Sequence, residues 1–243
     1  MKIFGTCAYK GTNYYGWQKQ VNHISVQGTI EEALSQIYNT KITIIGSGRT
    51  DAGTHAIKQC FHYETDKEKD LEQLAYALNK ILPEDIKIHG LSLVDDCFHA
   101  RYSAKRKVYE YQIALTNKDP FIFDAAYIYP YEFNLLVFKE ALMLFLGEHN
   151  FQDFTSKEID EDNFVRTIYD IKIEQNDNII KVTFEGNGFM RYQIRNMVGT
   201  ALVIASNKER IDFIVSHLDS NKIRSIVAYK APANGLYLVD VRY

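Results

Sequence analysis

Apolar and polar residues alternate strictly through Lys107 to Leu115, with Lys107, Tyr109, Tyr111 and Ile113 on one face and Val108, Glu110 and Gln112 on the other. That period of two is the signature of a β-strand. A helical period governs Ser25 to Asn39, where Val26, Ile30, Ala33, Leu34 and Ile37 recur and Ser25 can cap the start. It returns in Met190 to Ala205, whose stripe is Met190, Ile194, Met197, Val198, Ala201, Leu202 and Ala205. The pattern further predicts strands over Lys2 to Tyr9, Lys41 to Ile45, Lys58 to Glu64 and Ile86 to Val94, and a helix over Leu71 to Leu82 closed by Pro83. Residues 1–103 thus read β-α-β-β-α-β, the split βαβ or ferredoxin-like order.

Residues 104–243 repeat the theme with insertions. After the strand at Lys107 come an aromatic loop (Phe121 to Tyr131) and a helix, Asn134 to Leu146, ended by Gly147. Strands Arg166 to Glu174 and Ile179 to Glu185 follow across the turn Gln175 to Asn178, then helices Met190 to Ala205 and Lys208 to Leu218, then a closing strand, Gly235 to Tyr243. The expected class is α+β, two ferredoxin-like halves whose mostly antiparallel sheets join.

Between two predicted strands lies Gly46-Ser-Gly-Arg-Thr-Asp-Ala-Gly-Thr-His-Ala56, eleven residues where a tight hairpin needs two. Gly46, Gly48 and Gly53 let the backbone adopt positive φ and approach a ligand, and Arg49 and Asp51 sit between them. A surface turn is the plain alternative. The loop is neither G-x-G-x-x-G nor a P-loop, and Asp51-Ala-Gly53 lacks the hydroxyl of an aspartic-protease triplet. What remains is one carboxylate beside an arginine. A buried working aspartate needs a cation to stay ionised. Arg49 is close in sequence, and Arg195, at the edge of the helical stripe, is the better candidate. Its other reading is a surface arginine lying over that stripe.

The 243 residues, 46% hydrophobic and 24% charged, fit two packed soluble modules. No apolar run reaches membrane-span length, and Met1 runs directly into a strand pattern rather than a signal peptide. Cys7, Cys60 and Cys97 show no paired spacing and read as buried thiols in a reducing cytosol. Histidines such as His55, His62 and His99 show no ligand spacing, so no metal is expected. A net charge of −3 argues against a nucleic-acid partner. Acidic residues gather in expected solvated loops (Glu64 to Asp70, Glu158 to Asp162) and basic ones at Arg101 to Lys107, Arg191 and Arg195, leaving room for a positive cleft. Phe98 to Tyr111 interleaves bases with aromatics, which suits phosphate contact and base stacking as well as a half-buried strand with a solvated basic face.

Eight further motifs accompany the central loop in a fixed order: Tyr9-Lys-Gly-Thr-x-Tyr-x-Gly-Trp-Gln18, Leu78-Asn-x-x-Leu-Pro83, Phe98-His-Ala-Arg101, Tyr109-Glu-Tyr111, Gly147-x-His-x-Phe-x-x-Phe154, Arg166-Thr-Ile168, Arg195-Asn-Met-Val-Gly199 and Ala231-Pro-Ala-x-Gly-Leu236. Together they resemble the tRNA pseudouridine synthase A family nearly end to end. The resemblance implies the pseudouridine synthase fold and a cytoplasmic, cofactor-independent homodimer that isomerises uridine to pseudouridine at positions 38 to 40 of the tRNA anticodon arm. It implies Asp51 as nucleophile, Tyr109 as the substrate-contacting tyrosine and Arg195 as the arginine paired with the aspartate, with Arg49 beside them. Whether Asp51 attacks C6 or C1′ stays open, as does the base that takes the C5 proton. Lys10 stands where the family has Asp, Thr54 where it has Val, and Arg191-Tyr-Gln-Ile194 where His-His-Met-Val or similar is usual. Those departures leave two rivals: a relative acting on another tRNA or rRNA uridine, and a non-catalytic RNA-binding module.

Overall fold

The computed structural model describes residues 1–116, 120–156, 163–218 and 224–243; the acidic segment Glu158 to Asp162 lies outside them. In chain order the first elements are β1 (Lys2–Tyr9), α1 (Val26–Tyr38), β2 (Ile45–Gly46), β3 (His55–Glu64), α2 (Leu71–Ile81) and β4 (Ile86–Val94). There follow β5 (Arg106–Ala114), β6 (Tyr127–Ile128), α3 (Leu135–Met143), β7 (Gly147–Asn150), β8 (Val165–Asn176), β9 (Ile179–Gly186), α4 (Gln193–Ala205), α5 (Asp212–Leu218) and β10 (Leu236–Arg242). The class is α+β with mostly antiparallel pairing. Two compact units divide the chain: Met1–Lys105 with Tyr237–Tyr243, and Arg106–Leu236.

In the first unit β1 pairs antiparallel with both β3 and β4, and β2 pairs antiparallel with β3. β10, which the sequence pattern assigns to the second half, pairs in parallel with β3 through Tyr237–His55 and Leu238–Ala56. Alternate residues of β1 are buried, with Ile3 and Cys7 fully so. Both helices begin on side-chain caps: Ser25 Oγ accepts from Gly28 N (3.2 Å) and Asp70 Oδ1 from Gln73 N (2.9 Å). Asn39, in the left-handed region (φ 48°), ends α1.

The strand expected over Lys41 to Ile45 shrinks to Ile45–Gly46. Helix side chains capture the backbone before it. Ile42 N donates to Ser35 Oγ (2.9 Å), Ile44 N to Glu31 Oε1 (3.1 Å), and Gln27 Nε2 to the Ile44 carbonyl (3.0 Å). The alternation is still real, since Ile42 and Ile44 are buried while Thr43 and Ile45 are exposed. A period of two reports which side chains face the core, not which partner takes the backbone.

In the second unit β5 pairs antiparallel with β9, β9 with β8 and β8 with β7, while β6 lies parallel to β5. β7 escapes the sequence pattern because four residues are too few to establish a period. The helix expected from Asn134 to Leu146 runs only from Leu135 to Met143, with Asn134 as its cap, and α5 starts four residues after Lys208. α4 starts at Gln193 rather than Met190, because Tyr192 adopts φ 65° and breaks the helical path. Except for Val203, α4 is buried all round, so it is a core helix rather than an amphipathic one.

Candidate active site

The central loop is fastened at both ends. Ser47 N donates to the Cys60 carbonyl (2.7 Å) and Ser47 Oγ to Gln59 Oε1 (2.7 Å), while Gln59 Nε2 donates to the Gly48 carbonyl (3.0 Å). Gln59 is fully buried, so one amide closes the strand entry by satisfying both its own groups. The aromatic segment Tyr9 to Gln18 holds the other side. Trp17 N donates to the Thr50 carbonyl (3.2 Å), Gly53 N to the Tyr14 carbonyl (3.2 Å), and Gly11 N to His55 Nδ1 (3.0 Å). Tyr9 and Thr50 share a buried side-chain hydrogen bond of 2.8 Å.

Two glycines make this interlock possible. Gly16 has φ 84°, and a Cβ there would run into the Thr50 carbonyl; Gly46 lies against the Trp17 indole with no room for a methyl group. Of the three glycines in the loop itself, Gly53 alone takes positive φ, at 79°. The Tyr9 to Gln18 motif and the central loop, separate in sequence, are therefore one local structure. Within it Asp51 is half-buried and its carbonyl accepts from Thr54 N (3.1 Å), whereas Arg49 is exposed. The Thr54 hydroxyl is buried and has no hydrogen-bond partner among the described residues.

In the second unit Tyr109 lies on β5 opposite Phe184 and is 7% exposed. Its ring meets the edge of Phe189, centroids 5.4 Å apart at 81°. Arg195, in the first turn of α4, is 9% exposed, which removes the reading of a surface arginine lying over the stripe. Its Nε donates to the Ala231 carbonyl (2.8 Å), and Ala231 N donates back to the Arg195 carbonyl (3.0 Å). Tyr111, two residues along β5 from Tyr109, donates its hydroxyl to the Pro232 carbonyl (2.7 Å). Burial pushes the Tyr111 phenol well up, with the nearby Arg195 charge pulling the other way. Arg195 is thus held among β5 and the segment around Ala231 as a buried, oriented cation.

The mixed segment from Phe98 divides by role. Phe98, half-buried, packs on Phe4 and Tyr243 (centroids 5.4 and 5.0 Å), while Arg101 and Tyr102 are exposed. The Arg106 guanidinium is paired with Glu185 at 2.7 Å. Two histidines have structural tasks: His55 accepts from Gly11 N, and His62 Nδ1 accepts from Ala100 N (3.1 Å). Cys7 and Cys60 are buried as expected, with burial and then the neighbouring Cys60 raising the Cys7 thiol, but Cys97 is exposed because it sits in the turn after β4.

One cluster escaped the sequence reading. Around the Tyr192 ring gather Lys230 Nζ (4.2 Å from the centroid), Arg191 Cζ (4.7 Å) and Arg195 Cζ (5.1 Å). The unusual Arg191-Tyr192 pair was visible in the sequence; Lys230, far along the chain, was not.

The chain is similar to known proteins over most of its length. The family described as tRNA pseudouridine synthase matches residues 7–103 and 141–243, which include Asp51 and Arg195. The tRNA pseudouridine synthase A of a Geobacillus species is 40% identical over 244 residues, covering 100% of this chain and 98% of that protein. Those of Thermodesulfovibrio yellowstonii and a Thermoanaerobacter species are 39% and 37% identical, covering 98% and 97% of this chain and 98% and 96% of theirs. No helix among the described residues is long and apolar enough to cross a membrane. Matched over most of its length by the family and nearly end to end by these relatives, the chain belongs to the tRNA pseudouridine synthase family.

Proposed function

We propose that the protein isomerises uridine to pseudouridine at positions 38 to 40 of the tRNA anticodon arm, as a cytoplasmic homodimer without a cofactor. The observation that carries this reading is Asp51, half-buried in a loop whose every flank is hydrogen-bonded in place, in a chain 40% identical over its whole length to a tRNA pseudouridine synthase A. Antiparallel order β4-β1-β3-β2 in the first unit supports the split βαβ reading of residues 1–103, and β5, β8 and β9 support a second such half within 104–243.

On this reading the target uridine leaves its stack, at a cost of a few kcal/mol. Asp51 then attacks it, at C6 of the base or C1′ of the ribose. Arg195 supplies the cation that keeps the carboxylate ionised once water is excluded. Its orienting bond to the Ala231 carbonyl supports that role, because a guanidinium pinned through Nε still presents its terminal nitrogens as a fork. Tyr109 contacts the uracil, and exposed Arg49 contacts the RNA near it. The glycosidic C1′–N1 bond breaks, the uracil turns, and a C1′–C5 bond forms. The C5 proton leaves to a base, N1 takes up a proton and the Asp51 bond is released, so substrate and product are isomers.

The test is to incubate the purified protein with unmodified tRNA and map product by carbodiimide-primer extension. Stops at one or more of positions 38 to 40 are expected. Stops elsewhere would favour the reading of a relative with another target, and their absence would leave only RNA binding.

A further inference from the structure

We infer that Arg191 and Lys230, gathered on the Tyr192 ring, form a contact site for the sugar–phosphate backbone of the tRNA. Three cations within 5.1 Å of one ring centroid repel one another, and the quadrupole of a single phenol offsets only part of that. Among the described residues neither Arg191 nor Lys230 has a carboxylate partner, although ion pairs are common elsewhere in this unit, as at Arg106–Glu185 and Lys181–Glu110. Both side chains are exposed, while Arg195 is buried. An arrangement of exposed like charges with no anion beside it among the described residues is complementary to an external one.

The placement is built into the backbone. Tyr192 takes φ 65°, which holds its ring at the foot of α4, and Arg191 donates to the Tyr192 hydroxyl (2.9 Å). Lys230 arrives because Gly199 lets the chain at Tyr229 pass directly over α4; a Cβ at that glycine would strike the Tyr229 carbonyl. The paired bonds between Arg195 and Ala231 lock the same segment. Tyr192 thus links the buried arginine to two solvent-facing cations. Phosphodiester groups suit these, since backbone contacts need charge rather than base-edge geometry.

This inference rests on the proposed activity on tRNA, and the experiment separates the two. Affinity for an unmodified tRNA transcript is measured against salt concentration for the full chain, with uridine conversion by the wild-type protein followed in parallel. Arg191→Gln and Lys230→Gln should each make the slope of log K against log salt shallower by roughly 0.7–0.9, and the double variant by about twice that. Arg191→Lys, which keeps the charge, should retain the wild-type slope. Lys172→Gln, an exposed lysine on β8, should leave it unchanged. Wild-type conversion with unaltered slopes in both Gln variants would overturn the inference and spare the activity. Failure of the wild-type protein to convert uridine would overturn the activity and this inference with it.

Discussion

The central loop and the start of α4 each present a charged side chain, yet they hold it by opposite means. The loop is irregular, and its rigidity comes from backbone and polar side-chain hydrogen bonds: Ser47, Thr50, His55 and Gln59 are all buried and all bonded. α4 is regular and buried nearly all round, and Arg195 is held by packing and by its bond to the Ala231 carbonyl. A hydrogen-bonded loop tolerates little backbone change, while a packed helix tolerates little loss of a buried polar partner. Substitutions should expose that difference.

The largest effect is expected at Arg195. Arg195→Met should lower turnover about 10²- to 10³-fold, as for loss of an oriented charge-stabilising donor, and strand the Ala231 carbonyl. Arg195→Lys should recover little, because a lysine cannot make the Nε bond and present a fork at once. Single-turnover conversion checks both; full recovery by lysine would show that charge alone suffices there.

On the loop side the sharpest change is Gly16→Ala. It combines a positive φ with a collision at the Thr50 carbonyl, so a loss of about 2–4 kcal/mol is expected in denaturant unfolding. Unchanged stability would mean that the Tyr9 to Gln18 segment does not brace the loop.

Thr54→Val should act the other way. The buried Thr54 hydroxyl has no partner among the described residues, and valine keeps the shape while removing the unsatisfied group, so a gain of about 1 kcal/mol is expected. A loss would show that the hydroxyl is satisfied in solution.

The smallest effect concerns pH. Burial first, then His99 and Lys2, hold the His62 imidazole below its ordinary value of 6.5, against an opposing pull from Glu64. A depressed folded value means the neutral ring is the stable form, consistent with Nδ1 accepting from Ala100 N. Stability from this group is therefore complete above about pH 6.5 and is lost as pH falls through that value toward the folded one. The denaturation midpoint should drop across this range, and less steeply in His62→Gln; equal slopes would assign the loss to other groups.

How much of this was legible in the sequence follows from the same contrast. The loop could be read because its glycines, Asp51 and strand flanks are contiguous, and the helix start at Ser25 because a cap acts over three residues or fewer. The lost strand before Ile45 could not, since Glu31 and Ser35 reach it from a helix. Arg195 showed its type and its place on the helix but not its burial, which depends on the chain returning at Tyr229 to Ala231. The Tyr192 cluster combined both obstacles, a positive φ at a residue other than glycine and a partner far along the chain.

The most direct measurement of the central claim is Asp51→Ala, assayed for both pseudouridine formation and tRNA affinity on the same preparation. The account predicts that conversion falls on the order of 10⁴-fold or more while affinity stays within about threefold, because phosphate contacts rather than the carboxylate supply binding. Conversion persisting in that variant would contradict it.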